Sequence, residues 1–416
     1  MTRRRIAELG LLLLALAAVP SARAESLLEL LPPGEPLLPL DAHAIALGGA
    51  AEARWELESG LPSNPAQLMA IEGVSFATVL QVRRGLRDLP GDGADWDETR
   101  QDFPAFQISA ALPRGLHLGL GYRGDLRSRG AFSTSVPYEL EGTIDHYAVH
   151  YTQSGGLSRF PISLAMQLGE HYRAGVGLNL YRGNLSQEYI YDFPNATSGD
   201  PDLGYQDRKV RRQASWYGTG LALGLQARPL GAATVFSLRW DGGAGLSGDA
   251  EEETAGETDL ALATLDGRMP ARWAIGAARQ LPYGATLSLQ WEHEGWAGYA
   301  APLSGSELAD VDRLCLGLEW LWGETGSGAR SQRPLPLRLG LRRGNWPAPD
   351  PLTGSEVVET TFALGTGLDL PAGRGSLDFA FFWQQLGVDG GEGERRLGLA
   401  LSLRTTETWS RRTQPY

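Results

Sequence analysis

The sequence predicts an all-β fold, an antiparallel barrel of about fourteen strands that cross a membrane. Three observations carry that expectation. The first is a strict period of two. In Arg313–Trp322 one face holds Leu314, Leu316, Leu318, Trp320 and Trp322; the other holds Arg313, Cys315, Gly317 and Glu319, with Leu321 at the end. Alternation over about ten residues marks a half-buried strand, and roughly 9–11 residues suffice for a tilted crossing of the hydrocarbon. The second is recurrence. Leu397, Leu399, Leu401 and Leu403 alternate with Gly398, Ala400, Ser402 and Arg404, and Leu335–Arg342, Thr286–Glu292 and Leu377–Trp383 do the same. The third is charge. Arg239, Glu319 and Arg338 sit mid-strand opposite the apolar face, as a polar lumen behind a lipid-facing wall requires.

Composition agrees. The chain has 416 residues, 42% of them hydrophobic, yet its mean hydropathy is too low for a bundle of membrane helices. A spanning barrel hides its apolar residues in alternation. The net charge of -12 argues against nucleic acid as a partner. Cys315 is the single cysteine, so there is no internal disulfide or multi-cysteine metal site, and no cofactor is implied. Many of the 54 glycines fall on the polar face, among them Gly175, Gly177, Gly218, Gly220, Gly365 and Gly367. Glycine weakens a strand, so this concentration implies close approach by something else.

Residues 1–24 read as a secretory signal. Arg3, Arg4 and Arg5 form its charged start, Leu11–Ala18 its apolar core, and Ala22-Arg23-Ala24 a small-x-small cleavage site. No cysteine lies near the cut to take a lipid anchor. The mature chain is expected to begin at Glu25 and to leave the cytoplasm.

Residues 25–70 lack the alternation. They contain Pro32-Pro33, an Ala-rich piece Asp41–Ala50, and Leu61–Leu68, in which Asn64-Pro65 favours a turn. Ala46-Leu47-Gly48-Gly49-Ala50 followed by Asn64-Pro65-Ala66, just ahead of the first strand, resembles the long-chain fatty-acid transporter (FadL-type) family. The resemblance implies that residues 25–70 fold as a hatch inside a 14-stranded barrel. It assigns hatch or gating roles to Leu47, Gly48, Gly49, Ala50, Asn64, Pro65 and Ala66. It also implies a hydrophobic or amphipathic ligand, long-chain fatty acid first, with aromatic hydrocarbons handled by some relatives. The spacer departs from the family pattern, with Arg54, Trp55, Glu56 and Glu58 in place of small residues.

Residues 71–405 supply the strands, counted without the resemblance. Alternation is found near 71–85, 102–112, 115–125, 159–168, 172–183, 212–227, 231–241, 268–280, 284–294, 311–323, 334–343, 358–370, 374–386 and 395–405. Residues 142–153 alternate too. An even count keeps both termini in the periplasm, so they are placed in an outer-loop hairpin. Leu112-Pro-Arg-Gly115, Leu281-Pro-Tyr-Gly284, Leu370-Pro-Ala-Gly373 and Arg228-Pro-Leu-Gly231 mark short turns, alternating with long polar loops. Residues 406–416 form a tail. Acidic stretches at Asp92–Asp102, Asp249–Asp259 and Asp389–Glu394 read as solvated loops, with cation bridging to lipopolysaccharide as the less favoured alternative.

Catalytic chemistry is weakly represented. His150 and Ser154 stand near Asp145, but a triad needs three-dimensional placement and an oxyanion hole. Glu292, His293 and Glu294 alternate faces, so they read as rim residues and not as a metal site. An enzyme is not expected. Arg83, Arg123, Arg173, Arg239, Arg272, Arg313, Arg338 and Arg404 point inward, joined by Glu319, Asp369 and Asp378. They read first as a self-compensating network. Arg83, Arg123, Arg239, Arg313 and Arg338 are also ligand-binding candidates, since a guanidinium fork suits a carboxylate. Lys209, the only lysine, is placed in a loop. The function expected is a monomeric outer-membrane channel of a Gram-negative cell, with a hydrophobic ligand and with membrane lipid and lipopolysaccharide as partners. The alternatives are a secretion or assembly component and a general diffusion porin.

Overall fold

A computed structural model describes residues 27–407 except 31–32, 39, 57–59, 88–95, 141–142, 194–206, 230–232, 255–259, 300–307, 323–334, 351–352, 371–374 and 390–392. The expected signal, the end of the tail, the Pro371-Ala372-Gly373 turn and parts of all three acidic stretches lie outside these residues; of the described parts, Trp96–Asp102 and Asp249–Thr254 lie on strands and not in loops. Fourteen antiparallel strands form the wall. They are β1 Val74–Arg87, β2 Trp96–Leu112, β3 Leu116–Leu140, β4 Thr143–Leu168, β5 Tyr172–Asp192 and β6 Arg208–Ala227. Strand β7 runs Thr234–Asp241 and Ala244–Thr254, and β8 runs Leu260–Met269 and Arg272–Leu281. Then follow β9 Ala285–Glu294, β10 Val311–Trp322, β11 Leu335–Asn345, β12 Val357–Asp369, β13 Gly375–Val388 and β14 Glu394–Glu407. Strand β14 pairs with β1 from Glu394↔Arg87 to Glu407↔Val74, which closes the barrel.

The two faces sort as alternation demands. On β10, Leu314, Leu316, Leu318 and Trp320 are exposed while Arg313 and Cys315 are buried. Phe106, Ile162, Leu178, Leu223, Ile275, Leu289, Leu339, Phe362, Phe381 and Leu397 extend the exposed apolar surface round the wall. Monomeric soluble proteins rarely expose a contiguous apolar patch above a few hundred Å2, so this belt is built for hydrocarbon contact. Among the described residues no helix is long and apolar enough to cross a membrane.

Strands β3 to β8 run past the belt. Residues 143–153 do form an outer hairpin with the far end of β3, but they are continuous with the crossing part of β4. Lys209 likewise lies on β6, 2.9 Å from Glu188, and not in a loop. Alternation is hard to read there because both faces of an extension above the belt can be polar. The inner face of the extension packs on itself through Leu126, Leu157, Tyr181, Trp216, Leu246 and Met269.

The short turns 113–115 and 282–284 place Arg114 and Tyr283 at φ 67° and 64°, ahead of Gly115 and Gly284. Between β2 and β3 the pairing stops at Ala105↔Arg123, next to Pro104, which has no N–H to donate. Above that point the N-terminal segment borders β3: Glu35 and Pro36 pair with Arg127 and Leu126, and Leu37 N donates to Asp125 O at 2.9 Å.

Candidate functional site

Helix α1 spans Leu27–Leu30 and helix α2 spans Ala42–Ala46. Asp41 caps α2, accepting from Ala44 N at 2.7 Å. The helix ends in Leu47, then Gly48 and Gly49 at φ 64° and 91°, with Gly49 N donating to Ala44 O at 2.8 Å. Left-handed residues end helices at little cost only as glycine. The wall has glycines where this turn arrives. A Cβ on Gly317 would lie 2.9 Å from Leu47, one on Gly365 would meet Ala46 at 2.5 Å, and one on Gly340 would collide with Gly48. Gly175 and Gly224 make the same allowance for Pro65 and Asn64. Gly177, Gly218, Gly220 and Gly367 face other wall residues instead.

A segment with so little internal structure needs outside partners for its buried backbone. Inward side chains supply them. Gln290 Oε1 accepts from Ala51 N and Glu52 N, both at 2.9 Å, and Gln226 Nε2 donates to Glu52 O and Arg54 O, also at 2.9 Å. Ser402 Oγ accepts from Ala42 N at 2.6 Å, and Gln81 Nε2 donates to Leu38 O at 3.1 Å. Asn64 starts the 3-10 helix Pro65–Ala70 in a capping box with Gln67: its side chain accepts from Ala66 N at 2.9 Å, and Gln67 Oε1 accepts from Asn64 N at 3.1 Å. Asn64 Nδ2 also donates to Leu238 O at 3.0 Å. Ala50, Pro65 and Ala66 are buried in the same stretch. None of the wall glutamines was singled out from sequence; their signal is a Gln on the polar face of an alternating strand.

Ion pairs fix the same segment. Glu35 meets Arg83 and Arg396 at 2.5 Å each, Glu29 meets Arg100, and Glu52 meets Arg239 at 2.5 Å. His43 Nε2 lies 3.1 Å from Glu319, which holds Arg338 at 2.6 Å, and Arg338 reaches Asp378 at 2.7 Å. Arg123 donates to Pro62 O, and Arg173 to Trp55 O at 2.6 Å. Burial pushes the Glu29 carboxyl up, helped by the neighbouring Glu35 carboxylate and a hydrogen bond to it. Burial alone would raise Glu35 too, but the Arg396 and Arg83 guanidinium groups hold it well below the usual carboxylate range.

A second set of pairs crosses the interior. Arg313 bridges Glu294 at 2.6 Å and Glu359 at 3.5 Å; Arg272 lies 3.7 Å from Glu294 and 3.0 Å from Asp125; Arg159 lies 3.4 Å from Asp125 and 3.7 Å from Asp241. Glu294 therefore faces inward among these arginines and Glu292 faces inward 3.6 Å from Arg342, so neither is a rim residue; His293 points out, 3.1 Å from Asp312. His150 is exposed, its Nδ1 2.7 Å from Ser133 Oγ. All five candidate arginines are thus engaged by protein groups. Arg83 and Arg313 border a small chamber of about 60 Å3 above α2, whose apolar side includes Leu40, Ile45, Trp346 and Phe382. Arg123, Arg239 and Arg338 lie outside its lining.

The arrangement defines a fourteen-stranded barrel with an apolar exterior and a polar interior occupied by its own N-terminal segment. Solved structures share the fold. A Pseudomonas aeruginosa FadL homologue matches with a TM-score of 0.60 at 12% identity, over 88% of this chain and 98% of that one. The Ralstonia pickettii toluene transporter TbuX matches with 0.57 at 14% identity, and the Pseudomonas putida toluene transporter TodX with 0.54 at 15%, each over 88% of this chain and 98% of theirs. No protein-family model and no curated protein sequence matches the chain.

Proposed function

We propose that the chain is a FadL-type outer-membrane channel that passes small hydrophobic molecules, with residues 25–70 as the hatch. The observation that carries this is the pairing of an apolar belt outside with an N-terminal segment bound all round the inside. A general porin needs an open aqueous lumen, whereas here hydrogen bonds between the N-terminal segment and Gln81, Gln226, Gln290 and Ser402 hold the interior filled. The solved structures that share the fold include toluene transporters, which supports the same class of cargo. Because Arg83, Arg123, Arg239, Arg313 and Arg338 are already paired, a cargo carboxylate is not required, and single-ring compounds suit the site better than a long-chain acid.

In this reading a ligand leaves the outer extension, enters the chamber above α2, and passes when the Leu47–Ala50 turn and the Asn64–Ala66 cap shift. Leu47, Gly48, Gly49, Ala50, Asn64, Pro65 and Ala66 are the moving parts. Residues 1–24 export the chain, and both termini lie in the periplasm. Uptake of labelled toluene and labelled oleate by cells expressing the chain tests this. Toluene entry is expected to rise over cells carrying an empty vector, and oleate entry less; equal entry of both in the two cell lines overturns the transport reading.

A further inference from the structure

A second, larger cavity lies below α2, at the short-turn ends of β7 to β10, with a volume of about 250 Å3. Its apolar lining comes from Leu47, Ala53, Trp55, Val235, Ala278 and Leu321. Leu321 is the residue that breaks the polar face of its strand, and here it has a reason to do so. Gln280, Thr286 and Ser288 add neutral hydrogen-bonding groups. The Trp55 ring is fixed in place: the Arg173 guanidinium stacks 3.8 Å from its centroid, and the same side chain binds the Trp55 carbonyl at 2.6 Å.

One helical turn separates the two chambers. Ile45, Gly48 and Gly49 border the upper one, and His43 and Leu47 border the lower. Size decides what each holds. An apolar cavity of about 150 Å3 is enough to bind benzene, and one water claims about 30 Å3 of liquid volume. At about 60 Å3 the upper chamber must widen to pass a ring, while the lower, at about 250 Å3, has the volume for a substituted one. Its border carries two arginines, Arg54 and Arg228, two carboxylates, Glu56 and Glu319, and His43 at 3.1 Å from Glu319, so no run of one sign lines it.

We propose that the lower chamber is a binding site for a single-ring aromatic molecule with at most one hydrogen-bonding group, the station reached after the Ala42–Gly49 partition. This rests on the transport reading and places a stopping point on its periplasmic side.

The test uses the full chain in lipid nanodiscs and 4-bromophenol, whose bromine quenches indole fluorescence on contact, with empty nanodiscs as the partition control. Saturable quenching is expected, and the part contributed by Trp55 disappears in Trp55→Phe. Filling the chamber with Ala278→Phe, or separately Val235→Phe, is expected to raise the half-saturation concentration at least tenfold; a heat-modifiable gel band shows that each variant still folds. Quenching that is identical in wild type and Trp55→Phe, or unchanged by both filling variants, overturns the site. Entry of the same probe into proteoliposomes is followed in parallel. Entry without Trp55 quenching sinks the chamber and leaves the transport reading standing. Trp55 quenching without entry supports the site and sinks transport.

Discussion

Arg272 donates to Asp125 at 3.0 Å and so joins β8 to β3, with four strands of wall between them. The contact reaches across the interior, and Arg159 extends it to Asp241. Deleting residues 25–66 should therefore raise single-channel conductance in planar bilayers only part of the way. Adding Arg272→Ala to the deletion removes this crossbar and should raise it again. An inserted barrel whose conductance ignores the deletion would show that residues 25–66 are not a plug.

Asn64→Ala removes the acceptor for Ala66 N and the donor to Leu238 O at one stroke. A lost cap of this kind costs about 1 kcal/mol, and a buried N–H left unpaired costs about 1–3 kcal/mol. The expected result is a weaker version of the deletion's leak. Asn64→Asp keeps the acceptor for Ala66 N but sets a buried carboxylate against the Leu238 and Leu225 carbonyls, so its leak should be no smaller than that of Asn64→Ala. Conductance histograms for the two variants rank them, and a reversed order sinks the argument.

Arginine on the two faces of β10 should fail in different ways. Leu316→Arg puts a charge into the apolar belt at a cost of about 2–4 kcal/mol near the midplane, so less barrel inserts. A wet interior would accept Gly317→Arg, but a Cβ there already meets Leu47 at 2.9 Å. That variant should insert and leak. Folded yield on heat-modifiability gels and conductance together separate the two.

Cys315 is fully buried, and a Cβ on Gly49 would lie 3.4 Å from its sulfur. A polar maleimide should label it slowly in the intact protein and at least tenfold faster in the 25–66 deletion. A bilayer-partitioning maleimide should do no better in either. Fast labelling by the lipid-soluble reagent alone would place Cys315 on the wrong face.

The acidic pair on the segment sets a pH dependence of mixed sign. Glu29 has a raised folded pKa, so its contribution is complete below the ordinary carboxylate range and fades as pH rises through the folded value. Glu35 has a depressed one, so its contribution is complete above that range and is lost only in strong acid. Over the pH range above ordinary carboxylate values, Glu29 and Glu52, both raised by burial, weaken the hold while Glu35 does not. The heat-modifiability midpoint should fall across this range in wild type, and Glu29→Gln should flatten the slope. A wild-type midpoint that rises with pH contradicts the assignment.

The wall was legible because lipid and lumen make opposite demands on alternate residues, so Leu314, Leu316 and Leu318 declare their face without knowledge of their neighbours. Inward placement of Arg239, Arg313 and Arg338 followed from the same parity. Their partners did not. Arg272 and Asp125 are 147 positions apart and share no strand pairing, and a one-residue irregularity between Gly124 and Leu126 shifts the parity of everything beyond it on β3. Glu35 and Glu52 carry no periodic signal because each takes its place from its partners on the wall. The Ala46–Ala50 and Asn64–Ala66 stretches stood out only by resemblance, and the left-handed glycines and the capping box give the physical reason for them.

The closure of β14 onto β1 bears on how the molecule is made. Ser402 and Arg396 on the last strand bind Ala42 and Glu35, contacts separated by 360 and 361 positions. Contacts this distant in sequence are slow to form, since most of the chain must be ordered before they repay the loop they close. The N-terminal segment is thus the part of the chain that the last strand must find. Zipping the final pair of strands before residues 35–42 arrive would leave Arg83 and Arg396 facing one another without the carboxylate that lies between them. The seam is consequently easiest to close over a filled lumen, and the occupant acts as a template for the wall that encloses it.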